Sequence, residues 1–351
     1  MSKLHWKATK EENLIHDWDQ IQLESPKGMF TQCSSWLNSY HPYGFTWTLF
    51  LGLEDGQIKA GFACLILKFG PFKLINCTWG PYLEDEDDLV DSISQFRTWA
   101  ISQGALALQV NLPQFMDSKI VKEALGNDFS EGNLTAKIFS PLHFNWIHLP
   151  SDQGEEADRK LLKSFSENAR RNVKSALKNE LEVVKVTTSE VLREAYQCFE
   201  NNAIREGYSI RNWNDLKPSL TQAMEEGHAI IFLIKYEGQN VGAIWAAKGG
   251  GAYHYIMGGT ERLEKDLKLG HLLQWAVMKA SMEEGLEKYN ISVGGSDGVV
   301  RFKSSFYPKE DQSLGVFHLV LSPVKFRLFQ FVWRFAERNK KLASRVLKLI
   351  K

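Results

Sequence analysis

The sequence predicts an α/β (α+β) protein with two tandem domains, each a mixed, mostly antiparallel sheet flanked by helices, plus a basic amphipathic C-terminal helix. Three observations support this fold class. A chain of 351 residues exceeds what one hydrophobic core usually organises. One order of strands and helices occurs twice along it. Residues 323–351 hold nine Lys or Arg and one acidic residue, although 42 basic and 42 acidic side chains balance over the whole chain.

The repeated unit is a hairpin, a third strand, a helix and a fourth strand. The first copy comprises strands at 46–53 and 58–68 around Asp55-Gly56-Gln57, a strand at 73–78, an acidic run at 84–88 that leads into a helix ending at about 103, and a strand at 105–110. The second comprises strands at 229–236 and 241–248 around Glu237-Gly238-Gln239, a strand at 252–257, a helix at 266–284 and a strand at 289–293. From Gly56 to the helix-ending Gly104 is 48 residues, and from Gly238 to Gly285 is 47. This constant spacing indicates a duplicated unit.

Between the two copies, residues 155–179 have the apolar spacing of one long helix. Its second half, Arg170 to Lys178, carries four cations, which form either a solvated face or a surface that receives an anion. Helices are also expected at 189–205 and 212–226. The charged loop between them, Arg205 to Arg211, contains a glycine and is the kind of segment where binding residues occur.

Several classes of function are disfavoured. The four cysteines are far apart and have no clustered histidines, so no zinc site or disulfide framework is predicted and no metal is expected. The N-terminus lacks an apolar leader and no stretch is long enough to span a membrane, which favours a cytoplasmic protein. Walker, G-x-S-x-G, H-E-x-x-H and Rossmann motifs are missing. We expect Gly249-Gly250-Gly251 to be a hairpin turn and His254 to be structural.

A candidate site lies at the end of the second copy, where the strand at 289–293 meets Gly294 and Gly295 and a helical turn places Lys303 between Phe302 and Phe306. Glycines at a strand end let backbone N–H groups approach a ligand, and the lysine would add a fixed cation that stabilises a developing negative charge. Alternatively, the two phenylalanines are core residues and Lys303 points to water.

The C-terminal segment 323–351 repeats apolar residues every three or four positions with cations between them. A basic helix rich in Phe and Trp suits the surface of an anionic membrane. A packed helix with a wet basic face, or a nucleic-acid contact, would show the same pattern. Asn339 interrupts the apolar stripe.

Six motifs, in their order along the chain, resemble the Fem-type (FemABX) aminoacyltransferases. They are Gly28-Met29-Phe30-Thr31-Gln32-x3-Trp36, Trp79-Gly80-Pro81, Arg170-Arg171-Asn172-x-Lys174, Arg205-x5-Arg211, Leu269-x5-Trp275 and Gly294-Gly295-x6-Phe302-Lys303-x2-Phe306. The resemblance covers about residues 25–322 and implies two acetyltransferase-like (GNAT) domains. It also implies that the last strand returns to the first domain. We therefore expect a first domain at 1–150 completed by about 313–322, a second at 151–312, and the helix at 323–351.

The resemblance implies transfer of an aminoacyl group from aminoacyl-tRNA to an amine of a cell-envelope glycan or peptidoglycan-type precursor, with no tightly bound cofactor. Lys303, beside Phe302, would stabilise the tetrahedral oxyanion, and Arg211 would hold phosphates of the acceptor. Substrate contacts are further assigned to Arg205, Tyr255, Gln32, Trp36, Gly294 and Gly295. Tyr40 occupies the place of a second phosphate-binding lysine, which departs from the family pattern and argues against a nucleotide-linked muropeptide acceptor.

Two alternatives remain open from the sequence. One is an N-acyltransferase that takes its acyl group from acyl-CoA and acts on an amino sugar or a lipid-linked glycan. Residues 265–270 match only distantly the glycine loop that binds CoA in acetyltransferase-like folds, which favours tRNA as donor. The other is a non-catalytic membrane- or glycan-binding protein of the same fold. If the acceptor is a membrane-bound polyprenyl glycan, the helix at 323–351 would hold the protein at the inner membrane face.

Overall fold

The computed structural model describes residues 3–113, 115–134 and 138–338, with side chains as far as Val332. It contains two compact units. The first takes the residues up to Trp18, Tyr40–Leu142 and those from Ser313 onward, and the second takes Asp19–Ser39 and His143–Gln312. Compared with a division at residue 150, residues 19–39 and 143–150 lie with the second unit. The strand near 313–322 lies with the first.

The first unit contains one sheet of eight strands. They are β1 (His5–Thr9), β2 (Phe45–Glu54), β3 (Gln57–Phe69), β4 (Phe72–Cys77), β5 (Tyr82–Leu83), β6 (Ala107–Leu112), β7 (Ser130–Glu131) and, from the far end of the chain, β15 (Gly315–Val320). Their order is β1-β2-β3-β4-β6-β15-β7, with β5 beside β3. All neighbours are antiparallel except β4 and β6.

The second unit contains a sheet of seven strands. They are β8 (His143–His148), β9 (Glu182–Lys185), β10 (Ala229–Tyr236), β11 (Gln239–Gly249), β12 (Ala252–Thr260), β13 (Lys288–Asn290) and β14 (Lys309–Gln312). Their order is β9-β10-β11-β12-β13-β8-β14, and β12 and β13 are parallel. Because β8 pairs with β13 and β14, it belongs to this sheet, whereas the sequence predicts residues 143–150 in the first domain.

Helices flank both sheets. They are α1 (Glu12–Glu24), α2 (Ser34–Asn38), α3 (Leu89–Ser102), α4 (Ser118–Leu125), α5 (Gly154–Ser164), α6 (Glu167–Ala176), α7 (Ser189–Glu206), α8 (Trp213–Glu225), α9 (Leu269–Glu283), α10 (Asp297–Ser304) and α11 (Pro323–Arg338). None of the helices among these described residues is long and apolar enough to cross a bilayer. Residues 339–351, including the predicted break at Asn339, lie outside the described part.

The predicted duplication and fold class are confirmed. Each sheet has an antiparallel hairpin, a third strand, and then a parallel strand reached through a helix, α3 or α9. The hairpin turns match in backbone conformation: φ is 51° at Asp55 and 80° at Gly56, and 51° at Glu237 and 75° at Gly238. Two consecutive positive φ angles are the signature of a two-residue hairpin turn whose twist suits the strands. The turn at Gly249–Gly251 is likewise a hairpin, between β11 and β12.

The single long helix predicted at 155–179 is wrong. The chain forms α5 and α6, separated by Phe165 in an extended conformation. Ser166 Oγ accepts a hydrogen bond from the Ala169 amide at 3.1 Å and so caps α6. Phe165 is buried and its ring contacts Phe306 at a centroid distance of 5.1 Å. The break turns Phe165 into the core and redirects α6.

Candidate active site

The site begins where β13 leaves its sheet. The strand ends at Asn290, three residues earlier than predicted, because Ser292 takes a φ of 66°. Gly294 and Gly295 follow with φ of 76° and 118°, a range that favours glycine. A Cβ atom on Gly295 would lie 2.7 Å from Val299 Cγ1. The turn therefore requires a glycine at this place.

Lys303 is buried in the last turn of α10, with 5% of its surface exposed. Its ammonium donates to Gly294 O at 3.1 Å, with Ser292 Oγ at 3.4 Å and Val293 O at 3.5 Å. The same atom lies 5.2 Å from the ring centroid of Tyr255 on β12. The interpretation in which Lys303 points to water is therefore wrong.

Burial lowers the pKa of Lys303 to about 8. At pH 7 the ammonium is still the major form. Among its three contacts only the one to Gly294 has an ordinary hydrogen-bond length, so the other two are weak. Two of its three protons can therefore turn towards another acceptor at little cost.

The two phenylalanines around Lys303 have different environments. Phe306 is fully buried, whereas Phe302 is half-buried and stacks edge-on with His271 of α9 at a centroid distance of 4.9 Å. The rings of Phe302 and Phe306 also contact each other, at a centroid distance of 5.3 Å. Phe306 is thus a core residue, as one interpretation of the sequence held, and Phe302 forms part of a cavity wall.

An open cavity of about 590 Å³ lies beside Phe302. Its wall includes Asn172 of α6, His271, and the loop 260–268 before α9, with the cations Arg262, Lys265 and Lys268. Asn172 Nδ2 lies 3.3 Å from His271 Nε2, and burial lowers the pKa of His271 to about 4. His271 is therefore neutral at pH 7. His271 was not predicted from the sequence; the available signal was a glycine, Gly270, that follows a charged loop at the start of a helix.

Arg211 and Trp36, both predicted to bind substrate, lie together. The Arg211 guanidinium is 5.8 Å from the Trp36 ring centroid and donates to Ser39 Oγ at 2.5 Å. The Trp36 ring also contacts the ring of Trp245 on β11. This strand pairs with β12, which carries Tyr255. The cavity beside Trp36 measures about 20 Å³, room for about one water. In this conformation Trp36 is a packing residue beneath Arg211.

Arg205 has several protein partners. It donates to Thr260 O at 2.7 Å and Asn202 Oδ1 at 2.5 Å, and pairs with Glu206 at 2.9 Å and Glu261 at 3.5 Å. Two of these residues, Thr260 and Glu261, line the 590 Å³ cavity. These contacts fix the loop that bounds the cavity, and a direct contact of Arg205 with substrate stays a prediction.

Gln32 is fully buried in a 3-10 turn, Phe30–Gln32, and this turn passes against β11. A Cβ atom on Gly249 would lie 2.1 Å from Phe30 N, so only glycine permits this approach. His254 packs near the same turn and its Nε2–H donates to Gly249 O at 3.0 Å, and burial lowers its pKa to about 4. Gln32 is therefore a buried core residue next to β11, and its contact with substrate stays a prediction. Tyr40, in the first unit, is buried and its hydroxyl accepts from the Phe139 amide.

One group among the described residues has the ligand types of a metal site. Asp19, Glu226 and His228 place one ligand atom each within 4.8 Å of one another. The Asp19 carboxylate already accepts two hydrogen bonds from Ser34, one from its amide at 2.8 Å and one from its hydroxyl at 2.5 Å. The Ser35 hydroxyl lies 2.8 Å from His228 Nδ1. These bonds fix the start of α2, and no step of the chemistry below uses a metal.

Replacing Lys303 by Met is expected to stabilise the folded protein near pH 7. The pKa falls from 10.5 to about 8 on burial, so the folded state binds this proton more weakly than the unfolded chain does. Below pH 8 that difference costs about 3 kcal/mol, and the cost disappears as the pH rises to 10.5. Thermal melts of wild type and Lys303→Met should differ most at pH 7 and converge at high pH. A variant that melts lower than wild type at pH 7 would show instead that the lysine holds the fold together.

Comparisons with known proteins identify the class. A sequence profile of the acetyltransferase (GNAT) domain matches residues 163–304. A crystal structure of FemX superposes with a TM-score of 0.77 at 16% identity, over 92% of this chain and 99% of that one. No curated protein sequence matches the chain.

Two further solved structures have the same fold at lower similarity. A structure described as the C-terminal domain of a lysylphosphatidylglycerol synthetase from Agrobacterium fabrum superposes with a TM-score of 0.54 at 12% identity. The superposition covers 92% of this chain and 95% of that one. A protein of unknown function from Bacteroides thetaiotaomicron superposes with a TM-score of 0.57 at 12% identity. The superposition covers 90% of this chain and 99% of that one.

The duplicated sheet and the matched domain define an acyltransferase of the GNAT fold. The resemblance to Fem-type proteins is confirmed at the level of the fold, since FemX shares nearly the whole architecture. Lys303 and Phe302 lie within the matched domain.

Proposed function

We propose that this protein transfers an aminoacyl group from aminoacyl-tRNA to an amine of a phosphate-bearing cell-envelope precursor, with Lys303 stabilising the oxyanion. One observation carries the proposal. A buried ammonium, held by a glycine turn, stands next to a half-buried Phe302 that lines an open cavity of about 590 Å³. A desolvated cation that follows directly, in the chain, a residue of the cavity wall is suited to a charge that appears only during reaction.

The reaction is an aminolysis of an ester. The acceptor nitrogen attacks the ester carbonyl carbon, a C–N bond forms, and the carbonyl oxygen becomes an oxyanion that the Lys303 ammonium stabilises. The C–O bond to the ribose then breaks, and the proton lost by the attacking amine ends on the ribose oxygen. Because the ester is already activated, positioning and oxyanion stabilisation suffice and no strong protein base is needed.

A basic helix face supports an RNA donor. Arg171, Lys174 and Lys178 are exposed and follow helical spacing on and just beyond α6. Among the described residues no carboxylate pairs with any of the three. Asn172 of the same helix lines the cavity, so the helix that carries the basic face also contributes to the cavity wall. Unpaired cations on this helix are suited to the phosphates of an acceptor stem.

The acceptor end of the proposal depends on Arg211. We expect Arg211→Ala to raise the KM for a phosphate-bearing acceptor about tenfold and to change kcat little, because it removes a charge-assisted hydrogen bond to a part of the substrate that does not react. Steady-state kinetics at varied acceptor concentration will measure this. Lys217→Ala, an exposed lysine on α8, is the control. A defect confined to kcat would contradict the phosphate role.

The proposed function is tested by incubating the protein with radiolabelled aminoacyl-tRNA and, separately, lipid-linked and nucleotide-linked amine acceptors. Mass detection should find a new amide on the lipid-linked acceptor with wild type, formed at least about a hundredfold more slowly with Lys303→Ala. Absence of an amide product with every aminoacyl-tRNA and acceptor would overturn it.

A second candidate is an acyl-CoA-dependent N-acyltransferase, which the GNAT profile match over residues 163–304 favours. Here the cations Arg262, Lys265 and Lys268 of the cavity loop would bind the CoA phosphates instead. Ligands that bind the folded state raise its melting temperature, so a shift with acyl-CoA but none with aminoacyl-tRNA would select this candidate. A shift with neither, and no turnover, would favour a non-catalytic binding protein of this fold.

A further inference from the structure

The described part of α11 has two apolar faces. Phe326 and Phe329 are buried, and the Phe329 ring contacts Phe72 of β4 in the first unit at a centroid distance of 5.7 Å. Three other apolar side chains are exposed: Val324 at 82%, Leu328 at 55% and Phe331 at 71%. Packing within the first unit, to which α11 belongs, accounts for the two phenylalanines and leaves the other three in solvent.

Helical geometry places these two sets on opposite sides. Successive residues are about 100° apart around a helix, so Val324, Leu328 and Phe331 fall within an arc of about 60°. Phe326 and Phe329 lie about half a turn away. We call the exposed set the outer stripe of α11. It does not contribute to the core and needs another explanation.

Charge indicates what the outer stripe contacts. Lys325 and Arg327, both exposed, lie on its two sides, and no described carboxylate pairs with them. Residues 323–351 hold nine cations and one acidic residue. In a symmetric pair of chains the same cations would face each other, which disfavours a second copy. Nucleic acid would leave the apolar side chains in water. An anionic bilayer satisfies both the apolar and the cationic groups.

We propose that the outer stripe Val324, Leu328 and Phe331 is a membrane-binding surface that enters the headgroup region of an anionic bilayer. Lys325 and Arg327 contact lipid phosphates on either side, while Phe326 and Phe329 fix the helix to the first unit. The proposal stands on this helix alone and holds whether or not Lys303 is catalytic.

Vesicle co-sedimentation of the full chain tests it. Wild type should bind vesicles of phosphatidylglycerol and phosphatidylcholine, bind phosphatidylcholine alone weakly, and release with added salt. Leu328→Glu/Phe331→Glu should weaken binding about tenfold or more, since charges replace apolar contacts. Ile101→Glu on α3 is the matched control, because Ile101 is 55% exposed and also lies in the first unit. Thermal melts establish that the variants fold.

Three outcomes would overturn the proposal. They are equal binding to neutral and anionic vesicles, equal loss in the Ile101→Glu control, and unchanged binding in Leu328→Glu/Phe331→Glu. If wild type binds no vesicles, and sedimentation velocity shows a dimer that Leu328→Glu/Phe331→Glu dissociates, the outer stripe would instead contact a second copy of the chain. The variant Lys325→Glu/Arg327→Glu leaves the apolar side chains intact. It should nevertheless lose binding to the anionic vesicles.

Discussion

Lys303→Ala is expected to lower kcat by about a hundredfold to a thousandfold while the protein stays folded. The ammonium is the donor that the proposed mechanism directs at the oxyanion, and loss of one such donor costs roughly 3 to 4 kcal/mol in transition-state stabilisation. Since the interaction exists only once the charge develops, KM should change little. Single-turnover transfer from aminoacyl-tRNA measures the effect on the chemical step.

Controls separate catalysis from folding for this residue. Lys303→Met keeps the apolar volume and is expected to be more stable at pH 7 but equally inactive. Lys303→Arg keeps the charge but not the geometry of a buried site, so activity should return only in part. Lys309→Ala on β14, an exposed lysine of the same unit, should be fully active. Turnover of Lys303→Ala at the rate of wild type would remove the assignment of the oxyanion donor.

The sequence predicted the duplicated architecture because strand and turn signals are local and were repeated. Asp55-Gly56 and Glu237-Gly238 produce matching turns from their own backbone preferences. The return of the strand at Gly315–Val320 to the first sheet is a long-range pairing with β6, and only the family resemblance supplied it. Periodicity alone gives no information on which distant strands pair.

The candidate site was harder to predict, for a physical reason. Burial of Lys303 depends on the turn at Gly294, whose carbonyl accepts from its ammonium, and on Tyr255, which is distant in sequence. The helix break at Phe165 and Ser166 was missed because the apolar spacing continues across it and a serine cap is a weak signal within a helical pattern. His271 was missed because its role depends on Asn172, almost one hundred residues earlier.

Charge reversal on α6 is expected to reduce kcat/KM for an aminoacyl-tRNA donor on the order of a hundredfold at moderate salt. The variant is Arg171→Glu/Lys174→Glu, and each reversal turns a phosphate contact into a repulsion. The slope of log kcat/KM against log salt should fall by about two, one unit for each lost contact. Because these residues do not line the cavity, kcat at saturating donor should change little.

A matched variant and a truncated donor make this test specific to RNA. Lys119→Glu/Lys122→Glu on α4 makes the same change of charge at the same spacing, on the first unit, and should leave the kinetics unaltered. Aminoacyl-adenosine carries the reactive ester without the stem, so wild type and the α6 variant should use it equally well. Equal losses with both donors would mean that the reversal damages the cavity. If wild type and the α6 variant have equal activity with the full aminoacyl-tRNA, the cations of α6 form a solvated face. The phosphates of the donor would then have to be bound by Arg262, Lys265 and Lys268.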